Sequence, residues 1–278
     1  MATAFDAAAP LAAYPIATYD HREFTVGALC AAKAGRRVSV CIPARNEEAT
    51  IGRILDAVRG ELVEGAGLVD ELLVVDDASS DRTVAVALAS GASVVPADGY
   101  SRLATAGDPA SGKGQAMRSG LDASTGEIVV FLDGDVDNFG AHFVTGLLGP
   151  LFASEKTMLV KACYTRPILG SATGGGRVTE LVARPILALL FPELAGVVQP
   201  LAGEVALRRP ALLGLELASG YGVEIAMLID VAARHGTSTL AQVDLGVRSH
   251  RNRPLHELAP QAREVLAAAL ERAGVEIA

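Results

Sequence analysis

The sequence predicts an α/β protein built on a doubly wound parallel sheet, and three observations carry that expectation. The apolar run Ile128-Val129-Val130-Phe131-Leu132 follows Gly126 and Glu127 and stops at Asp133-Gly134-Asp135, the pattern of a strand buried on both faces. Two earlier runs, Val38-Ser39-Val40-Cys41-Ile42-Pro43 and Leu72-Leu73-Val74-Val75-Asp76-Asp77, also end in a proline or acidic residues and are each followed by a helical period. Half of the 278 residues are hydrophobic, Ala, Val, Leu and Gly dominate, and tryptophan is absent; helices packed on a sheet of small branched residues have this balance.

Taken in order, residues 1–37 form an N-terminal extension without a strong period, its first dozen residues expected to be disordered and part of Phe24 to Lys33 helical. Strand 38–43 closes at a proline that cannot donate to a ladder. Asn46 caps the next helix, Glu47 and Glu48 favour its positive end, and Ile51, Ile54, Leu55 and Val58 give its apolar face. Strand 72–77 leads through Ser79-Ser80-Asp81 into a helix carrying Val84, Val86, Leu88 and Ala89. A short strand, Ser93-Val94-Val95, precedes a Gly- and Pro-bearing loop from Ala97 to Gly112, and Lys113 opens another helix. Residues 38–150 read as a nucleotide-binding half and 151–278 as the remainder of the same domain, ending in a helical pattern from Leu255 to Ala273.

The net charge of −8 argues against a general nucleic-acid surface, so any phosphate binding is local. Cys30, Cys41 and Cys163 share no metal-ligand spacing and are odd in number, which speaks against a disulfide scaffold or a zinc site; each reads as a small buried hydrophobe. No run reaches the roughly 18–20 apolar residues of a spanning helix, and the expectation is a soluble, cytoplasmic chain with no membrane span.

Ligands of open parallel sheets bind beyond the carboxyl ends of the strands, where Asp133 and Asp135 fall. Two carboxylates this close repel unless a cation stands between them, and their hard oxygens suit Mg²⁺ or Mn²⁺ bridging to a substrate diphosphate. A solvated turn after a core strand accounts for the same three residues. Gly112-Lys113-Gly114 has the ingredients of a phosphate-handling turn, and equally those of a solvated lysine at a helix start. Gly174-Gly175-Gly176-Arg177-Val178-Thr179 precedes an apolar helical stretch, Leu181 to Leu190, so its backbone N–H groups can form an anion nest to which Arg177 adds a bidentate fork; a glycine hinge is the alternative. Glu224 sits in an apolar run where a carboxylate needs partners.

Ile42-Pro43-Ala44-Arg45-Asn46-Glu47-Glu48, Val75-Asp76-Asp77-Ala78-Ser79-Ser80-Asp81-Arg82-Thr83, Gly112-Lys113-Gly114 and Asp133-Gly134-Asp135, in that order, resemble a family-2-like glycosyltransferase of the GT-A fold. The downstream motifs narrow this. The run from Thr173 to Pro185, Gln199-Pro200-Leu201-Ala202-Gly203-Glu204, Gly220-Tyr221-Gly222-Val223-Glu224-Ile225 and His250-Arg251-Asn252-Arg253-Pro254-Leu255 resemble the actinobacterial glucosyl-3-phosphoglycerate synthases, from about Val38 to near Gly274. The resemblance implies a GT-A sheet, mostly parallel, with a C-terminal acceptor-binding region, and a metal-dependent retaining transfer of glucose from UDP-glucose to 3-phosphoglycerate. It places the donor on Pro43, Ala44, Glu47, Ser79, Lys113, Asp133 and Gly134, the acceptor on Gly176, Arg177, Val178, Thr179 and Asn252, and Mg²⁺ or Mn²⁺ on Asp135 and His250. Glu224, Asp135 and Lys113 are the expected catalytic set, Arg253 a helper for phosphate charge, and a homodimer the expected assembly. One of Asp76 and Asp77 faces the ligand and the other holds a loop; His21, His142, His235 and His256 are structural.

Two departures stand out. Gly134 occupies the place of a usual serine, and Thr165, in Lys161-Ala162-Cys163-Tyr164-Thr165-Arg166-Pro167, that of a usual second arginine. The related mannosyl-3-phosphoglycerate synthases, with GDP-mannose as donor, share the glycine-rich and histidine motifs. A nucleotidyltransferase would carry a glycine-rich signature after its first strand, which Pro43-Ala44-Arg45-Asn46 lacks. A nucleotide-sugar sensor would bind the donor and metal without turnover.

Overall fold

The computed structural model describes residues 15–97, 112–166, 176–249 and 255–276. Eight strands, β1 (Ala17–Asp20), β2 (Val38–Ala44), β3 (Glu71–Asp76), β4 (Ser93–Pro96), β5 (Ile128–Phe131), β6 (Leu159–Thr165), β7 (Val205–Arg208) and β8 (Leu240–Val247), form one sheet in the order β1-β8-β6-β7-β5-β2-β3-β4. Only β7 runs against its neighbours, β5 and β6, so the carboxyl ends of β2, β5, β6 and β8 share one edge. Among the described residues the α-helices are α1 (Val26–Lys33), α2 (Ile51–Ala57), α3 (Thr83–Ala89), α4 (Lys113–Ala123), α5 (His142–Ala153), α6 (Arg184–Leu190), α7 (Val223–His235) and α8 (Leu255–Arg272).

Both faces of β5 are covered. Ile128 and Val130 pack with Ile51, Leu55, Phe143 and Leu147 from α2 and α5. Val129 and Phe131 pack with Met117, Ile225 and Val265 from α4, α7 and α8. Full burial of such side chains stabilises by roughly 1.5–3 kcal/mol each, which is why a continuous apolar run, and not an alternating one, marks this strand.

Several local expectations need correction. β5 ends at Phe131, and its second neighbour is the antiparallel β7. β2 runs one residue past Pro43. Asn46 does not cap α2: its φ is 59°, the helix begins at Ile51, and the Asn46 carboxamide accepts instead from the Ser80 N–H at 2.8 Å. α3 begins at Thr83, two residues after Asp81, whose carboxylate accepts from the Thr83 N–H at 2.9 Å. α2 continues as a π-helix, Val58–Gly65. The N-terminal extension contributes β1, which pairs in register with β8, and Leu255–Arg272 is helical as expected.

Candidate active site

The shared carboxyl edge and the starts of α4 and α7 enclose a cleft of about 590 Å³. Its lining brings together Pro43, Ala44 and Glu47 after β2, Lys113 at the start of α4, Asp133, Gly134 and Asp135 after β5, Gly176, Arg177, Val178 and Thr179, and Glu224 in α7. These are predicted residues drawn from five separate chain segments. Ser79 is not part of the lining; its hydroxyl accepts from the Asn46 N–H at 3.0 Å, one shell behind the wall. His250, Asn252, Arg253, Gly174 and Gly175 lie outside the described residues.

The floor is a chain of alternating charges. Lys113 Nζ donates to Asp133 Oδ1 at 2.5 Å and stands 2.7 Å from Glu224 Oε1. Arg248 Nη2 donates to Asp133 Oδ2 at 2.8 Å and to Asp135 Oδ1 at 2.9 Å. Behind it, Arg248 Nε is 2.8 Å from Glu204 Oε1, an ion contact off the line of a hydrogen bond. Lys113 is therefore no solvated helix-start lysine. Burial opposes its charge, yet Asp133 and Glu224 outweigh that and hold its pKa well above the ordinary value. Burial would likewise raise the Asp133 carboxyl, but Lys113 and Arg248 pull it well below the usual carboxylate range. Beneath the floor, burial pushes Lys161 down to about 8, against the pull of Glu224, and its Nζ donates to the Ala202 carbonyl.

Close backbone approach makes this network possible. A Cβ on Gly203 would lie 1.9 Å from Asp133 Oδ1 and 2.5 Å from Lys113 Nζ. Gly112, at φ 118°, ends the preceding loop in a conformation that favours glycine and donates to Asp77 Oδ1 at 3.4 Å. Of the Asp76-Asp77 pair, Asp77 lines the cleft, while Asp76 Oδ2 accepts from the Ser79 N–H at 3.3 Å and steadies the loop. The Gly134 carbonyl accepts from the Thr50 hydroxyl at 2.6 Å, and the Glu47 N–H donates to Thr83 Oγ1 at 2.8 Å, tying the acidic turn and the β2 loop to the neighbouring helices.

Opposite the acidic floor, Gly176 opens the turn into Thr179–Ala183, a π-helix continued by α6. A Cβ on Gly176 would come within 3.0 Å of Arg166 Nη1 and 3.1 Å of Thr179 Oγ1. Two guanidinium groups, Arg166 and Arg177, therefore border this wall of the cleft. Sequence reasoning missed Arg248, Arg166 and Glu204. Two of them lay inside quoted motifs without a role, and Arg248 stands two residues before His250. Their only local signal was charge in otherwise apolar strand ends.

Residues 39–160 match the Glycosyl transferase family 2 family. The glucosyl-3-phosphoglycerate synthase of Mycobacterium tuberculosis strain H37Rv is 50% identical over 271 residues, 95% of this chain and 82% of the relative. That of Petrotoga mobilis is 43% identical, covering 85% of this chain and 73% of the relative. The chain belongs to the glucosyl-3-phosphoglycerate synthase family. A crystal structure of the M. tuberculosis glucosyl-3-phosphoglycerate synthase with Mn²⁺, uridine-diphosphate-glucose and phosphoglyceric acid superposes with a TM-score of 0.86 at 49% identity, over 96% of this chain and 90% of that one. Another, with Mg²⁺ and uridine diphosphate, gives 0.85 at 48% identity, over 95% and 88%. Within this synthase fold the described residues hold no group of three metal-ligating side chains. Asp135 nevertheless fits a hard cation: its carboxylate opens into the cleft, and a positive charge, that of Arg248, already stands between it and Asp133. Mg²⁺ and Mn²⁺ sites commonly take one or two protein carboxylates and complete their shell with water and phosphate oxygens.

Proposed function

We propose that this chain transfers the glucosyl group of UDP-glucose to 3-phosphoglycerate, forming glucosyl-3-phosphoglycerate with Mg²⁺ or Mn²⁺ bound. The observation that carries the reading is the two-sided cleft, an acidic, cation-seeking floor at Asp133-Gly134-Asp135 facing the arginine-bordered turn Gly176-Arg177-Val178-Thr179, in a chain half identical to such a synthase. The M. tuberculosis relative has been captured with Mn²⁺, uridine diphosphate and glucosyl-3-phosphoglycerate.

Pro43, Ala44 and Glu47 hold the nucleoside, Lys113, Asp133 and Gly134 line the path of the diphosphate and sugar, and Asp135 with His250 would hold the cation. When bound, the cation neutralises the diphosphate as it leaves. Gly176, Arg177, Val178, Thr179 and Asn252 hold the phosphate and carboxylate of the acceptor. Transfer proceeds with retention: the bond from the sugar C1 to the diphosphate oxygen breaks, the bond from C1 to the acceptor hydroxyl oxygen forms on the same face, and the hydroxyl proton passes to the departing phosphate oxygen. Glu224 lines the cleft with its Oε1 held by Lys113 Nζ at 2.7 Å, and its carboxylate accepts from a sugar hydroxyl in this reading. No side-chain nucleophile is required.

The same reading makes residues 38–150 the donor half and 151–278 the acceptor half of one domain, and the chain a cytoplasmic homodimer. Three free cysteines support a reducing compartment. The exposed Leu181, Leu189 and Leu190 support a self-association surface, testable by light scattering. No helix among the described residues is long and apolar enough to cross a membrane.

Purified protein incubated with 3-phosphoglycerate, UDP-glucose and Mn²⁺ should yield glucosyl-3-phosphoglycerate with the anomeric configuration of the donor, and a chelator should abolish it. A mannosyl product from GDP-mannose in preference would overturn the donor assignment. Donor hydrolysis without transfer would overturn the acceptor assignment.

A further inference from the structure

Glu204 is fully buried, closes the Gln199–Glu204 motif, and has no part in the chemistry above. A carboxylate in such a place is costly unless each oxygen is answered. One oxygen, Oε1, faces Arg248 Nε at 2.8 Å. The other, Oε2, accepts from the buried Tyr164 hydroxyl at 2.9 Å, and that same hydroxyl oxygen accepts from Arg166 Nη2 at 2.6 Å. Both guanidinium groups also stand over the Tyr164 ring, Arg166 at 4.9 Å and Arg248 at 5.4 Å from its centroid. The two arginines leave this anchor in different directions. Arg248 reaches Asp133 and Asp135 on the donor floor, and Arg166 reaches the Gly176 wall, its buried Nε without a hydrogen-bond partner among the described residues.

We propose that Glu204 and Tyr164 are positioning residues that hold Arg248 on the donor side and Arg166 on the acceptor side, and that Arg166 is a further contact for the anionic acceptor. The second half of this rests on the acceptor reading given above; the first half does not. Arg248 stands where it competes with a cation for Asp135, and Glu204 draws it back. Without the Glu204 charge, the carboxylates that answer Arg248 among the described residues are Asp133 and Asp135, so it closes more tightly on the metal carboxylate. Without the Tyr164 hydroxyl, Arg166 keeps its stacking surface but loses the bond that sets its rotation against Gly176.

Two variants test this, each compared with wild type by calorimetric titration of UDP in the presence of Mn²⁺ and by the KM for 3-phosphoglycerate. Glu204→Gln should weaken Mn²⁺-dependent UDP binding roughly tenfold, the scale of a lost charge-assisted contact. Tyr164→Phe should leave that binding within about twofold and raise the acceptor KM about fivefold or more with kcat little changed, the pattern of lost ground-state binding. A purely structural role would lower the melting temperature of either variant and leave these constants alone, and that result overturns the proposal. If Glu204→Gln does not fold, Tyr164→Phe decides by its split between KM and UDP affinity. If wild type binds UDP with Mn²⁺ yet does not glucosylate 3-phosphoglycerate, the functional reading fails, while the UDP titration of Glu204→Gln still confirms or refutes the positioning role.

Discussion

The two halves of the cleft are built in different ways. On the donor side, β2, β3, β4 and β5 run parallel, and β2, β3 and β5 deliver their polar residues from the loops just past their own carboxyl ends. Chain order and spatial order nearly coincide there. On the other side, β7 returns antiparallel between β5 and β6, and β8 and β1 extend the sheet beyond them. The charges arriving from that side, Arg166, Glu204, Glu224 and Arg248, come from segments far apart in sequence, and Glu204, Glu224 and Arg248 are each matched by partners at least as distant as Tyr164 is from Glu204. Local loops can place a ligand shell. Long-range pairing is needed to neutralise it.

The contact that joins the halves should be the costliest to break. Lys113→Met leaves the buried Glu224 and the half-buried Asp133 beside each other without their shared cation, and a loss of about 3–5 kcal/mol in unfolding free energy is expected, read by urea denaturation, with transfer activity lost as well. A smaller effect is expected where the acceptor half merely touches the floor. Gly203→Ala drives a Cβ into the Asp133–Lys113 contact, costing about 1–3 kcal/mol and reducing kcat/KM for UDP-glucose more than it reduces stability.

The buried Lys161 sharpens the comparison through pH. Its pKa, held down at about 8 chiefly by burial, lies below the ordinary lysine value of about 10.4. The unfolded chain therefore binds more protons across that window, and Lys161 makes stability rise as pH climbs through it. Lys161→Met should remove this rise: measured against wild type, the variant fares best below pH 8 and loses ground by about 1–3 kcal/mol towards pH 10.5. The smallest effect belongs to the donor half. The tightest contact of a Cβ at Gly134 would be the flexible Glu47 Cγ at 3.2 Å, with Glu47 Cβ and Ile42 Cγ2 at ordinary distances, so Gly134→Ser should shift stability by less than about 1 kcal/mol and leave metal dependence intact. A large change in the Mn²⁺ requirement would show that the side chain at this position, and not only its backbone, acts on the metal.

β3 and β5 were legible because each is an apolar run closed by acidic residues, and β2 because its apolar run closes at a proline. The cap of α2 was not. Asn46 looked like a helix start, but its side chain is used between two loops, on the Ser80 N–H, and the helix begins five residues later. Ser79 fared similarly, its hydroxyl taken by the Asn46 backbone. Short polar side chains make local bonds in several conformations, so their presence near a strand end announces a turn without saying which one. β1 was invisible because four residues with no amphipathic period gain their place only by pairing with β8.

Composition and the apolar runs by themselves determined the α/β class, the covered sheet and the acidic turn after β5, because burial on two faces leaves no freedom in residue type. The motifs added the resemblance to the family and most of the cleft lining. Only the tertiary structure decided that Lys113 is held between two carboxylates, that Arg248 spans Asp133 and Asp135, and that Glu204 and Tyr164 stand behind it. A charged residue read along the chain shows nothing of whether it faces water or a counter-charge; its partner, and therefore its energy, exists only after distant strands have been brought side by side.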